Sequence, residues 1–193
     1  MNSEVKSWSS SKKKIFETAT DLFGSRGYAA TTVRDIAKGV GLEVSSLYSH
    51  ISSKEEILRD ICFRNAQRFL EGIDDIMANN SDPIMAIRSV IGLHVDVAAD
   101  EPTSILVFND EWKHLSHEAK AEFVIMRKSY EKKVTTIIQQ GIDNGCIIMR
   151  NPLTLMRTIL AALKWVYFAK DNSDKESIKK TIQELLIGGL IVK

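Results

Sequence analysis

Thr32-Val-Arg-Asp-Ile-Ala-Lys-Gly-Val-Gly-Leu-Glu-Val-Ser-Ser-Leu-Tyr-Ser-His-Ile51 is the stretch whose reading decides the fold. It reads as two short helices joined by a glycine-containing turn. Thr32 is placed to cap the first helix, with Asp35 three residues on, where a capping box carries Glu or Gln. Val33, Ile36, Ala37 and Val40 fall on one helical face. Gly39 and Gly41 are expected to break this helix and to permit a positive φ at the turn. In the second helix Leu47 points inward and leaves Ser45, Ser46, Tyr48, Ser49 and His50 outside. These are short or flat polar side chains with no acid among them, whereas a helix that needed only solubility would carry Glu and Lys. Side chains of this kind reach base edges and phosphates without repelling them. The pair is therefore a helix-turn-helix, and its second helix is the expected DNA-reading element.

The flanks extend the pattern. Upstream runs Lys12-Lys13-Lys14-Ile15-Phe16-Glu17-Thr18-Ala19-Thr20-Asp21-Leu22-Phe23-Gly24-Ser25-Arg26-Gly27-Tyr28, and downstream Ser52-Ser53-Lys54-Glu55-Glu56-Ile57-Leu58. Together these segments resemble the N-terminal domain of the TetR family of one-component transcriptional repressors. That family's first helix ends in Leu-Phe and is followed by a Gly-[Tyr/Phe] turn. A Thr-Val start to the next helix, Ile-Ala, Leu-Tyr-x-His and Ser-Lys-Glu then follow, and all are present here in order. Three positions depart from the pattern. Glu43 stands where the family usually has Ser, Ser45 where Gly is common, and Ile51 where Phe is usual. A Glu at position 43 can favour the helix dipole but cannot grip a phosphate. The resemblance implies a dimer reading a palindromic operator, with Thr32, Arg34, Val44, Ser45, Ser46, Tyr48, Ser49, His50 and Lys54 in contact with DNA. Tyr48 and His50 match the family's phosphate contacts. Lys54 combines an ammonium with the amides of a helix start, which suits one phosphate. Lys12 to Lys14 serve either as a solvated charge run or as further phosphate contacts.

Composition agrees with such a partner. Net charge is only +1, which excludes a general polyanion binder, but the charge is uneven. From Met1 to Lys54 eight basic residues (Lys6, Lys12, Lys13, Lys14, Arg26, Arg34, Lys38, Lys54) face five acids (Glu4, Glu17, Asp21, Asp35, Glu43). The excess lies where DNA would lie, as electrostatic attraction requires. With 193 residues and 44% apolar content the chain can bury a full core. We expect a helix-turn-helix domain over residues 1–54 and a helical ligand-binding and dimerisation domain over 55–193. Cys62 and Cys146 stand 84 residues apart, so neither a structural disulfide nor a Cys-based zinc site is expected. No signal peptide is visible and no apolar run reaches the ~20 residues of a membrane span. A soluble, cytoplasmic protein with no cofactor and no membrane partner is the expectation.

The remaining chain reads as all-α, about nine helices, with no alternating strand pattern. A polar tail over Met1–Ser10 precedes a first helix over roughly Ser11–Ser25. Ser53, with Glu56 three residues later, opens a fourth helix that runs unbroken to Asn79 and is long enough to belong to both domains. Asn80 to Pro83 start a fifth helix, Ile84 to Asp100. Glu101-Pro102-Thr103 breaks the chain before a short apolar sixth helix, Ile105 to Trp112. A seventh spans Ser116 to Asn144 and ends at Asn144-Gly145. Asn151-Pro152 opens an eighth, Leu153 to Lys170, apolar on nearly every side. After a polar turn over Asp171–Asp174, a ninth runs to the C-terminus. A helix apolar all round must be buried all round, so helices 8 and 9 (about 153–191) are the expected homodimer interface, forming a four-helix bundle with a second copy.

In this larger domain His94, Phe108, Trp112, Phe123, Met126, Tyr130 and Trp165 are the candidate lining of a ligand cavity. For each residue singly, membership of the core is the competing reading, and His94 on an apolar stripe reads foremost as a core histidine. His114 and His117, near Asp110, Glu111 and Glu118, lack the spacing of a metal site. No nucleotide fingerprint, Gly-x-Ser-x-Gly or framed pair of carboxylates is present, so no enzyme is expected. The segments Asn109–Trp112, Tyr130-Glu131 and Asp143–Gly145 resemble TetR-type repressors of fatty-acid or steroid degradation, which respond to acyl-CoA thioesters. An aromatic pocket would equally suit a lipophilic cation or an antibiotic. Two functions follow: a repressor released by a small, largely apolar effector, or a dimeric DNA-binding protein without an effector that answers to a protein partner. In the first, a ligand is expected to push helix 4 near Phe69–Ile73 and swing its N-terminus together with the helix-turn-helix.

Overall fold

The computed structural model describes residues 9–168 and 174–192, with backbone only for residues 167 and 168. The expected polar tail (to residue 8) and polar turn (171–173) lie outside the described residues. Among these residues the chain forms nine α-helices. They are α1 (Ser10–Arg26), α2 (Val33–Val40), α3 (Val44–Leu47), α4 (Lys54–Asn79), α5 (Pro83–Asp100), α6 (Pro102–Asp110), α7 (His117–Asp143), α8 (Pro152–Lys164) and α9 (Lys175–Gly188). Single 3₁₀ segments, Trp112–His114 and Trp165–Phe168, follow α6 and α8.

Most of these helices start where a short polar side chain satisfies a first-turn amide. Ser9, Thr32, Ser53, Asp82, Asn151 and Asp174 each accept from an amide two or three residues on. At Thr32 the box closes in both directions, because Asp35 accepts from the Thr32 amide at 2.8 Å. At α4 the return bond lands one residue upstream of the cap, with Glu56 accepting from the Ser52 amide at 2.6 Å. Gly41 ends α2 in the left-handed region (φ 81°, ψ 35°), a conformation that residues with a Cβ adopt only at a penalty.

Several sequence readings are corrected. Gly39 lies inside α2 rather than ending it, and a Cβ there would come 2.7 Å from Thr18 Cγ2, so its role is close packing of α1 on α2. The sixth helix begins at Pro102, which needs no amide partner at a first-turn position. The α-helical part of the eighth ends at Lys164, with Met156, Ile159 and Leu163 buried and Thr154, Arg157, Thr158 and Ala161 exposed. It is thus amphipathic, not apolar all round. The ninth stops at Gly188, and the chain beyond it returns to pair with the segment after α7. Ile147 and Ile191 form an isolated antiparallel bridge, and Ile148 donates its amide to Leu190 at 2.9 Å.

Two apolar clusters make the core. The first joins Ile15, Phe16, Ala19 and Phe23 of α1 with Ile36 and Leu47, with Ile57 to Ala66 of α4, and with Val107, Leu115, Ala119 and Phe123. The second joins Phe69 and Ile73 of α4 with α5, the C-terminal half of α7, α8 and α9. The 26-residue α4, about 39 Å long, therefore passes from one cluster to the other between Ala66 and Phe69. The boundary expected at residue 54 runs through the first cluster.

Candidate DNA-reading surface and apolar cavity

The span from Thr32 to Lys54, through α2, α3 and the start of α4, holds every residue of the first candidate set. Arg34, Ser45, Ser46, Tyr48 and Ser49 are exposed, Tyr48 by 51%. Val44 and His50 are half-buried. α3 is a single turn, with Leu47 buried and Val44 packed half-buried against the same cluster, and the chain closes through tight turns at Ser49 and His50 into Ile51. Ser49 donates its hydroxyl to the Ser46 carbonyl at 2.6 Å. Thr32 is exposed, but its hydroxyl also donates to Asp35 at 2.6 Å. That hydrogen bond holds the Asp35 carboxyl below its usual range.

Lys54 has an internal task as well. Its ammonium donates to the carbonyls of Tyr28 (2.8 Å) and Thr31 (2.7 Å) and lies 4.0 Å from the Tyr28 ring centre. It thereby fastens the start of α4 to the turn after α1. Lys12 pairs with Glu56 at 3.0 Å, and Lys14 donates to the Val40 carbonyl at 3.1 Å. Two of the three lysines of that run thus also hold α1 to its neighbours.

The second candidate set meets in a cavity of about 400 Å³ among α4 to α8. His94, Phe108, Trp112, Phe123, Met126 and Tyr130 all line it. Rings build the wall in series. Phe69 lies 4.7 Å from His94 and 5.7 Å from Phe108. Phe108 meets Phe123 edge-on at 5.5 Å, and Phe123 stacks on Trp112 at 5.6 Å. Deep in the wall His94 Nε2 and the Tyr130 hydroxyl share a 2.8 Å hydrogen bond. Burial pushes the His94 imidazole down to about 3, so it is neutral.

Trp165 is the exception. It is 50% exposed and lies outside the cavity lining. Its helix changes to 3₁₀ winding at this residue, which alters the angular step that the α-helical spacing assumes. Reading for aromatic and methionine residues missed the polar side of the cavity: Asn109, Arg127, Glu131, Arg157 and Lys164. Arg127 pairs with Glu131 at 2.9 Å and Lys164 with Asp110 at 3.3 Å, while Arg157 is exposed. Exposed cations on amphipathic helices look alike in sequence, and only the packing of α7 beside α8 brings these three together.

The cavity and the DNA-reading half share material. Phe123 belongs to the first core cluster and to the cavity wall, and Phe108, Trp112 and Met126 pack against that cluster while lining the cavity. The 3₁₀ segment that opens with Trp112 closes with His114, whose ring stacks on Tyr28 at 5.5 Å.

Comparison with known proteins agrees with this geometry. Residues 15–61 match the family model described as "Bacterial regulatory proteins, tetR family", and residues 80–168 that described as "Tetracyclin repressor-like, C-terminal domain". The transcriptional repressor KstR2 of Mycobacterium tuberculosis is 25% identical over 158 residues, 81% of this chain and 79% of its own. Its structure, described as a ketosteroid transcriptional regulator, superposes with a TM-score of 0.88 at 22% identity, covering 94% of this chain and 95% of that one. AibR, solved with isovaleryl coenzyme A and operator DNA, superposes with a TM-score of 0.81 at 22% identity, over 92% and 98% of the chains. The chain belongs to the TetR family of bacterial transcriptional regulators.

Proposed function

We propose that this regulator is a repressor that binds a palindromic operator as a homodimer and is released by a small effector held in the cavity among α4 to α8. The observation that carries this reading is the double membership of Phe123, which is at once cavity wall and part of the core under α1 to α3. A ligand that spreads the wall also disturbs the seating of the reading helix. Thr32, Arg34, Val44, Ser45, Ser46, Tyr48, Ser49 and His50 form the DNA contact set, with Lys54 holding the turn beneath them. Dimerisation through α8 and α9 draws support from apolar side chains that the protomer leaves uncovered there, Leu153, Trp165 and Leu185. One α3 turn buries too little DNA for useful specificity, and two related by a dyad read a palindrome. Such a protein works in the cytoplasm, where its operator is.

The effector has two parts. Its body is apolar, as the aromatic wall requires, and its head is anionic, drawn to Arg127, Arg157 and Lys164 at the polar side. A coenzyme A thioester has this form, and the isovaleryl coenzyme A found in AibR supports the choice. Fluorescence anisotropy with the DNA upstream of the neighbouring genes tests it. We expect binding with a strong salt dependence, and release by a short-chain acyl-CoA but not by free coenzyme A or by the matching carboxylic acid. Tight binding that no thioester disturbs would remove the acyl-CoA part of the reading.

A further inference from the structure

Glu43 is the only charged side chain between Lys38 and His50. It is exposed at the position that opens α3. Its backbone carbonyl accepts from Leu47 at 3.0 Å, as an N-cap carbonyl does. Its carboxylate does none of the work of a cap: the helix has no side-chain cap hydrogen bond. Nor does it join any ion pair found among the described residues. An acid thus sits uncompensated in the middle of the surface that must approach a polyanion. Helix-turn-helix proteins bring the N-terminal residues of the second helix to base edges, so this carboxylate meets the major groove.

There its chemistry is restrictive. A carboxylate at neutral pH only accepts hydrogen bonds. The major groove offers two kinds of donor, the N4 amino group of cytosine and the N6 amino group of adenine, among the acceptors N7 and O6 of guanine and O4 of thymine. Adenine N6 stands between its own N7 and the O4 of its paired thymine, so acceptors crowd it on both sides. Cytosine N4 has an acceptor only on the side of its paired guanine, and its own C5–H on the other. Repulsion is therefore smallest at cytosine. We propose that Glu43 reads one cytosine in each operator half-site through its N4 amino group, and that it rejects guanine and thymine there by acceptor–acceptor repulsion. This rests on the proposal above that α3 is the reading element.

Selection of duplexes from a randomised library by the full-length protein, in the wild-type form and as Glu43→Gln, Glu43→Ser and Glu43→Ala, decides it. Melting curves serve as the check that the exposed substitutions leave the fold intact. The wild-type protein should enrich a palindrome with a fixed C·G pair at one position of each half-site. Inverting that pair should weaken binding by roughly 10-fold or more. Glu43→Ala and Glu43→Ser should keep the rest of the palindrome and lose the preference at that position. Glu43→Gln should move it towards A·T, since an amide pairs with adenine N6 and N7 together. The same preferences in wild type and in all three variants, with or without a uniform rise in affinity, would overturn the assignment and leave Glu43 as a general repulsive charge. A wild-type protein that enriches no palindrome would overturn the reading of α3, and this assignment with it.

Discussion

His94 carries a cost of burial that can be measured. An unfolded chain holds its imidazole near pH 6.5, whereas burial in the folded protein pushes it down to about 3. Between those values the unfolded chain binds a proton that the folded chain refuses. The site's stability is therefore intact above about pH 6.5 and is lost as pH falls, by up to about 1.4 kcal/mol per pH unit. From pH 7 to pH 5 the loss is about 2 kcal/mol. Urea unfolding of wild type and His94→Gln at the two pH values should show this slope in the first and not in the second. Parallel losses would mean that other groups take up the protons. The same residue forms a buried hydrogen bond with Tyr130, so the variant should also be less stable at pH 7.

At the scale of elements, α8 and α9 divide their apolar residues between a buried and an exposed side. Leu163 is wholly buried within its own protomer, whereas Leu185 on α9 is 72% exposed and Leu153 on α8 is 42% exposed. An acid at position 163 would test folding, and an acid at 185 tests association. Leu185→Glu should leave the helical content of the protomer unchanged, because most of the side chain lies outside its core, and should shift sedimentation from dimer towards monomer. It should also weaken operator binding, since a single half-site contact remains. A variant that sediments as a dimer at low micromolar concentration would place the interface elsewhere. The short α3 is divided in the same way: Leu47 is buried, Val44 packs half-buried beside it, and Ser45 and Ser46 are exposed.

Across the whole molecule, two paths lead from the cavity to α3. One runs along α4, where Ala66 and Phe69 line the cavity, but Ile73, expected to take the push, does not. The other runs through Trp112 to His114, which stacks on Tyr28, whose carbonyl and ring hold Lys54 at the start of α4. The second path joins the cavity wall to the turn before α2 and the start of α4 through one ring stack and the hold on Lys54. A side chain built into the cavity imitates a ligand without the need to know it. Ala66→Phe should weaken operator binding roughly 10-fold, within the usual range of coupling between sites, with helical content unchanged. His114→Ala in that background should restore part of the affinity by cutting the link to Tyr28. Unchanged binding by Ala66→Phe would separate the cavity from DNA recognition.

The all-α class, the helix-turn-helix and most helix starts were legible in the sequence, because each is written in local chemistry. Thr32, Ser53 and Asp82 cap within three residues of themselves, and the spacing of Val33, Ile36, Ala37 and Val40 defines a face without reference to the rest of the chain. Six of the seven residues expected around a cavity do line it. What the sequence could not supply were relations between distant residues. Gly39 looks like a helix breaker until Thr18 is seen against it. The hold of Lys54 on the carbonyls of Tyr28 and Thr31 joins residues more than twenty positions apart. Arg127, Arg157 and Lys164 are three surface charges until the packing of α7 and α8 gathers them at one rim. Periodicity and capping act over a few residues and are readable one segment at a time. Shared walls, ion pairs and anchors depend on which segments the folded chain places side by side, and only the tertiary structure decides that.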